Sequence, residues 1–169
     1  MPAQRPTRRS PDPAPSERSR RILVVDDAEG IRTYLANLLE LRGFQVDTAE
    51  DGRRAMALLD AGANPDVVLM DVMMPGMDGL ETLRRVHERW PRLPIVILSV
   101  VGRASTIVQA MQLGAADYLN KPFEEEELEA TLRVVLETRE LEQERSRLLE
   151  ELEEGTRTVA WHGEAMRNV

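Results

Sequence analysis

Apolar and polar positions along this chain fall into two kinds of block. Short unbroken apolar runs occupy residues 22–25, 67–70 and 95–98, spelled Ile22-Leu23-Val24-Val25, Val67-Val68-Leu69-Met70 and Ile95-Val96-Ile97-Leu98. Runs this short, flanked by acids, Pro or Ser, predict strands buried on both faces. Between them apolar residues recur at helical spacing: Ile31, Leu35, Leu38 and Leu39; Ala55, Leu58 and Leu59 within 51–61; Leu80, Leu83 and Val86; Ile107, Val108 and Met111. Gly43 and Gly114 read as helix stops. Residues 44–49 alternate like an edge strand, and 117–119 form a short last strand before a long helix that begins after Pro122. Five strand–helix units in succession predict an α/β fold, a doubly wound five-stranded parallel sheet with helices on both faces.

Ligands of such sheets bind beyond the carboxyl ends of the strands. Asp26 and Asp27 end the first apolar run, Asp71 the third strand, Ser99 the fourth, and Lys121-Pro122 the fifth. After Asp71 the chain breaks into Val72-Met73-Met74-Pro75-Gly76-Met77-Asp78-Gly79, turn chemistry that exposes a carboxylate at the sheet edge. As mere strand-end caps these residues would not need to converge. Three acids and one lysine at one edge point to a divalent-cation and phosphoryl site.

After Glu124 no Gly or Pro interrupts the helical pattern until about residue 154. Leu128, Leu132, Val135 and Leu136 form a face that packs on the sheet. Val134, Leu141 and Leu148 then repeat every seven residues, with Thr138, Arg145 and Leu152 on the alternate seam. The heptads predict a parallel homodimeric coiled coil through residues 134–152. The competing reading is a single solvated helix with ion pairs along its surface. Four segments follow: a disordered basic tail (1–20), a folded domain (21–136), a helical coiled-coil linker (137–154) and an irregular tail (155–169).

Composition narrows the function. The 169 residues carry a net charge of −8, which argues against a broad nucleic-acid footprint. There is no cysteine, so disulfides and thiolate metal sites are excluded. No apolar stretch approaches the roughly 18 residues that span a bilayer, and the arginines before Ile22 lack the apolar core of a secretory signal. No membrane association and a cytoplasmic location are expected.

Residues 21–136 resemble the receiver domain of bacterial two-component response regulators. The resemblance rests on Val25-Asp26-Asp27, Asp71, Met74-Pro75-Gly76-Met77-Asp78-Gly79, Ser99 and Asp117-Tyr118-Leu119-Asn120-Lys121-Pro122-Phe123, in that order and at those separations. With its helical continuation the chain is most similar to the receiver and linker of nitrogen-regulatory, enhancer-binding (NtrC-type) regulators. The tail containing Trp161, His162 and Gly163 faintly resembles the start of their ATPase domain, but no phosphate-loop motif is present. The resemblance implies strand order 2-1-3-4-5 (flavodoxin-like) and a sensor histidine kinase as partner. It implies Asp71 as phosphoacceptor and Mg²⁺ held by Asp27, Asp71, the backbone carbonyl of Met73 and, through water, Asp26. Ser99 and Lys121 would contact the phosphoryl group, Tyr118 would turn inward as Ser99 is drawn to it, and Pro122 would follow a cis peptide bond.

Three positions depart from the family pattern. Val100 stands where a small residue is usual, and Met73 and Val101 where polar side chains place an attacking water. This implies slow hydrolysis of the acyl phosphate. On this reading the chain is not an enzyme beyond Mg²⁺-dependent self-phosphorylation and autodephosphorylation, and its downstream effector is open. A phosphohydrolase of the haloacid-dehalogenase type would need an acid where Met73 stands. A constitutive pseudo-receiver dimer, serving only as an interaction module, is the alternative. His87, on a charged helix face, reads as solvated.

Overall fold

The computed structural model describes residues 19–74, 78–100 and 104–167, with side chains as far as 157. Strands and helices alternate: β1 (Arg21–Val25), α1 (Glu29–Leu41), β2 (Gln45–Ala49), α2 (Gly52–Asp60), β3 (Val67–Asp71), α3 (Gly79–Arg89), β4 (Ile95–Val100), α4 (Ala104–Gln112), β5 (Asp117–Lys121) and α5 (Glu125–Arg167). All four strand pairings are parallel, and the sheet order is β2-β1-β3-β4-β5. The chain steps outward from β1 to β2, then returns past β1 to β3. The winding therefore reverses between β1 and β3, the position at which such sheets open a crevice.

Period-two alternation within the buried strands sorts their side chains into two cores. Leu23, Val25, Val68, Met70, Ile95 and Ile97 meet α2, α3 and α4 through Ala55, Leu59, Leu83, Val86 and Ala110. Ile22, Val24, Val67, Leu69, Val96 and Leu98 meet α1 and α5 through Leu35, Leu39, Leu128, Leu132, Val135 and Leu136. Both faces are dry, so these strands read as continuous apolar runs.

Local signals set the helix starts near the site. Asp78 caps α3, its carboxylate accepting from the Glu81 N–H at 2.7 Å. Gly79 follows because α3 begins against the end of β3. A Cβ there would lie 2.5 Å from the Asp71 carbonyl oxygen and 2.5 Å from the Val72 Cα, both backbone atoms. At the other end of the sheet, Gly114 has φ +106°, and the His87 ring packs where its Cβ would be. His87 is thus half-buried rather than solvated.

The folded unit is wider than residues 21–136. The carbonyl of Arg20 accepts from the Gln45 N–H at 2.9 Å, and its side chain pairs with Glu140. Arg139, one turn beyond the last core leucine, is largely buried. Its Nη1 donates to the Pro65 carbonyl at 3.0 Å and lies 3.6 Å from the Asp66 carboxylate. The root of the linker is therefore attached to the edge of the sheet opposite the acidic cluster. The predicted irregular tail at 155–169 is also corrected: α5 is one helix through Gly155 to Arg167. A helix-interior Gly costs only about 1 kcal/mol relative to Ala, and no Pro follows it. The expected tail at 1–20 is described only from Ser19 onward. Residues 75–77 of the turn motif, and Val101, lie outside the described residues.

Gly79→Ala should destabilise the fold by about 1–3 kcal/mol, the usual range for overpacking, because backbone rather than a flexible side chain must give way. Urea unfolding with the midpoint followed by circular dichroism measures it.

Candidate functional site

Asp71 is the last residue of β3, and its neighbour Val72 donates its N–H to the Leu98 carbonyl at 3.2 Å. That bond extends the β3–β4 pairing past Asp71, so the carboxylate emerges from ordered backbone. Its Oδ1 accepts from the Met73 N–H at 3.0 Å. Asp26 follows β1 and is fully buried, while the adjacent Asp27 is exposed. One carboxylate oxygen from each of Asp26, Asp27 and Asp71 lies within 4.8 Å of the others. Lys121, at the end of β5, reaches into this group. Its Nζ is 2.8 Å from Asp26 Oδ2 and 3.4 Å from Asp71 Oδ2.

Burial pushes the Asp71 carboxyl above the ordinary carboxylate range, and the charge of Asp26 adds to that rise. The Met73 N–H and the Lys121 ammonium act in the opposite direction without cancelling it. The group is short of positive charge. Three convergent oxygen donors, one of them open to solvent, fit a hard divalent cation of the Mg²⁺ type, which takes few carboxylates and retains waters.

The remaining predicted residues sit on the same edge. Ser99 is buried at the end of β4, and its hydroxyl makes a long 3.4 Å contact to the Val100 carbonyl. Tyr118 on β5 is turned outward, 40% exposed. The Lys121–Pro122 peptide bond is cis. Met73 and Val100 present their side chains to solvent at the rim. For Met73 the described contact is its N–H, donated to Asp71; the predicted role was its carbonyl. Sequence reasoning missed the Ala28 N–H, which donates to Asp26 Oδ1 at 2.9 Å, and Arg32, whose Nη1 donates to the Asp26 carbonyl at 2.7 Å. The signal available for Arg32 was a cation close to a helix start, where the dipole disfavours one.

The family model described as "Response regulator receiver domain" matches residues 22–133. The chain belongs to the response regulator receiver family. Among curated relatives, regulatory protein AtoC of Escherichia coli (strain K12) is 37% identical over 124 residues, covering 73% of this chain and 27% of AtoC. Response regulator MprA of Mycolicibacterium vanbaalenii is 45% identical over 116 residues, covering 69% of this chain and 50% of MprA. The chain thus spans from about a quarter to half the length of these relatives. NtrX from Brucella abortus superposes with TM-score 0.74 and 35% identity, covering 78% of this chain and 30% of that one. Chemotaxis protein CheY4 from Vibrio cholerae gives TM-score 0.66 and 34% identity, covering 70% of this chain and 99% of that one. The receiver fold, its strand order and the membership of a two-component response regulator are therefore established for residues 22–133. No helix among the described residues is long and apolar enough to cross a membrane.

A carboxyl with a raised native pKa binds its proton in the folded state before the unfolded chain does. Its contribution to stability is fully present below the ordinary carboxylate pKa and is lost as pH rises through the native value. At neutral pH Asp71 is therefore a destabilising charge. Asp71→Asn should raise the melting temperature measured without added cations. The gain should shrink as pH is lowered; calorimetry across pH measures both.

Proposed function

We propose that the protein accepts a phosphoryl group on Asp71 from a sensor histidine kinase and reports that state through α5. The supporting observation is one arrangement: Asp71, buried at the end of β3, lies with Asp26 and Asp27 in one oxygen cluster and faces Lys121. An Asp71 oxygen attacks phosphorus, an O–P bond forms, and the N–P bond to the donor imidazole breaks with its electron pair returning to the ring. Asp27, Asp71, the Met73 carbonyl and, through water, Asp26 would hold Mg²⁺, which would supply neutralising charge. Lys121 is placed to follow the charge from the carboxylate to the phosphoryl oxygens, and Ser99 to donate its hydroxyl to one of them. Tyr118 would then turn inward from its exposed position.

The chain turns over no external metabolite; its own chemistry is self-phosphorylation and slow autodephosphorylation. It works in the cytoplasm without contacting nucleic acid or membrane directly. Output runs through a homodimeric coil at 134–152. Val134, Leu141, Leu148 and Leu152 support that reading, being 58%, 67%, 48% and 67% exposed on one side of α5. Apolar side chains so exposed and so regularly spaced favour a partner helix.

Light scattering with Mg²⁺, before and after beryllofluoride, tests the switch. We expect the solution mass to change for the unaltered chain and not for Asp71→Ala. An unchanged monomer would remove the coil from the scheme. Phosphate release should be slow, and faster by several-fold in Met73→Asn and Val100→Ala, because a polar or smaller rim admits an ordered water; equal release rates would exclude rim control.

A further inference from the structure

Arg32 is used by no step of the proposed reaction, yet it reaches into the site. It lies near the start of α1, where a cation opposes the helix dipole and where no side chain caps the helix. Its Nη1 donates to the Asp26 backbone carbonyl at 2.7 Å. Every other polar group of Asp26 is also held. Its N–H donates to the Ala49 carbonyl at 3.2 Å, Oδ1 accepts from Ala28 N–H at 2.9 Å, and Oδ2 accepts from Lys121 Nζ at 2.8 Å. The carbonyl that Arg32 takes belongs to the peptide between Asp26 and Asp27. It stands beyond the last strand pair of β1, Val25 with Ala49 and Met70, so no sheet neighbour would otherwise satisfy it.

Asp27 differs from Asp26. Its carboxylate is exposed and makes no hydrogen bond or ion pair among the described residues. Its direction is therefore set by the backbone it grows from, and Arg32 holds that backbone. We propose that Arg32 is a positioning residue for the cation site: by tying down the peptide between Asp26 and Asp27 it aims the free Asp27 carboxylate at Asp71. The inference rests on the cation-dependent phosphoacceptor reading above.

Geometry and charge make opposite forecasts. A guanidinium acting only as a nearby positive charge repels Mg²⁺, so its removal would tighten cation binding. A guanidinium that orients a ligand strengthens binding, and its removal weakens it, by about tenfold for a residue of this supporting kind. Titration calorimetry of the full chain with Mg²⁺ separates them. Arg32→Met should raise the Mg²⁺ Kd about tenfold, and Arg32→Lys, which retains a long donor, should recover most of that loss. Raising Mg²⁺ to saturation should recover most of the loss in the rate of Asp71 phosphorylation by a small-molecule phosphodonor that Arg32→Met shows at limiting Mg²⁺. Far-ultraviolet circular dichroism confirms folding, and Arg32→Gln replaces the Met variant if that one melts too early. Affinity equal to or tighter than that of the unaltered chain in the Met or Gln variant overturns the inference. Asp27→Asn distinguishes the two levels. If it binds Mg²⁺ as the unaltered chain does, or neither binds, the cation site itself is wrong and the role of Arg32 goes with it.

Discussion

Two carboxylates out of water, bridged by one ammonium, are the constraint around which this receiver is arranged. Asp26 and Asp71 repel each other across the gap between β1 and β3, and Lys121 from β5 lies 2.8 and 3.4 Å from their oxygens. One positive charge for two buried acids leaves the cluster electrostatically incomplete. Burial first, and the Asp26 charge after it, raise the proton affinity of Asp71. A cation or a transferred phosphoryl group is the proposed means of changing the balance that Lys121 alone does not close.

The fold makes this arrangement possible by burying the strands on both faces. With helices on either side, β1, β3 and β5 hold their carboxyl ends in fixed relation. The reversal of winding between β1 and β3 leaves a crevice where the acids meet. Backbone groups then complete the positioning. Ala28 and Met73 donate to the two buried carboxylates, and Arg32 holds the carbonyl before Asp27. At the opposite end of the sheet, Arg139 attaches the root of the linker to the loop before β3. The helix that carries the proposed dimer seam is thus an extension of the receiver. A shift in α5 at its packed end would be passed along an unbroken helix.

The central strands were legible because burial on both faces leaves no polar residue except at their ends; β1, β3 and β4 begin and end within a residue or two of their apolar runs. Asp26, Asp71 and Ser99 were legible for the same reason, each being the first polar residue after such a run, while Asp27 follows Asp26 directly and Lys121 closes the short last strand after Asn120. Less legible was everything fixed by backbone hydrogen bonds. Nothing in the order of residues marks Ala28 as a donor to Asp26, or Met73 as a donor to Asp71. The far end of α5 was misread because Gly155 looks like a stop, although a single Gly only weakens a helix. The folded boundary was misread because Arg20 and Arg139 are charged, and their burial depends on partners distant in the chain.

Residue order alone set the alternation of strand and helix and the placing of three acids and a lysine at strand ends, because hydrophobic period and strand termination are local properties. Folding alone set which of those groups touch. The pairing of Lys121 with Asp26 as well as Asp71, the exposure of Asp27 beside a buried Asp26, and the outward position of Tyr118 arise from long-range packing. Electrostatic strength depends on distance and on exclusion of water, and both are created only when separate strands are brought side by side.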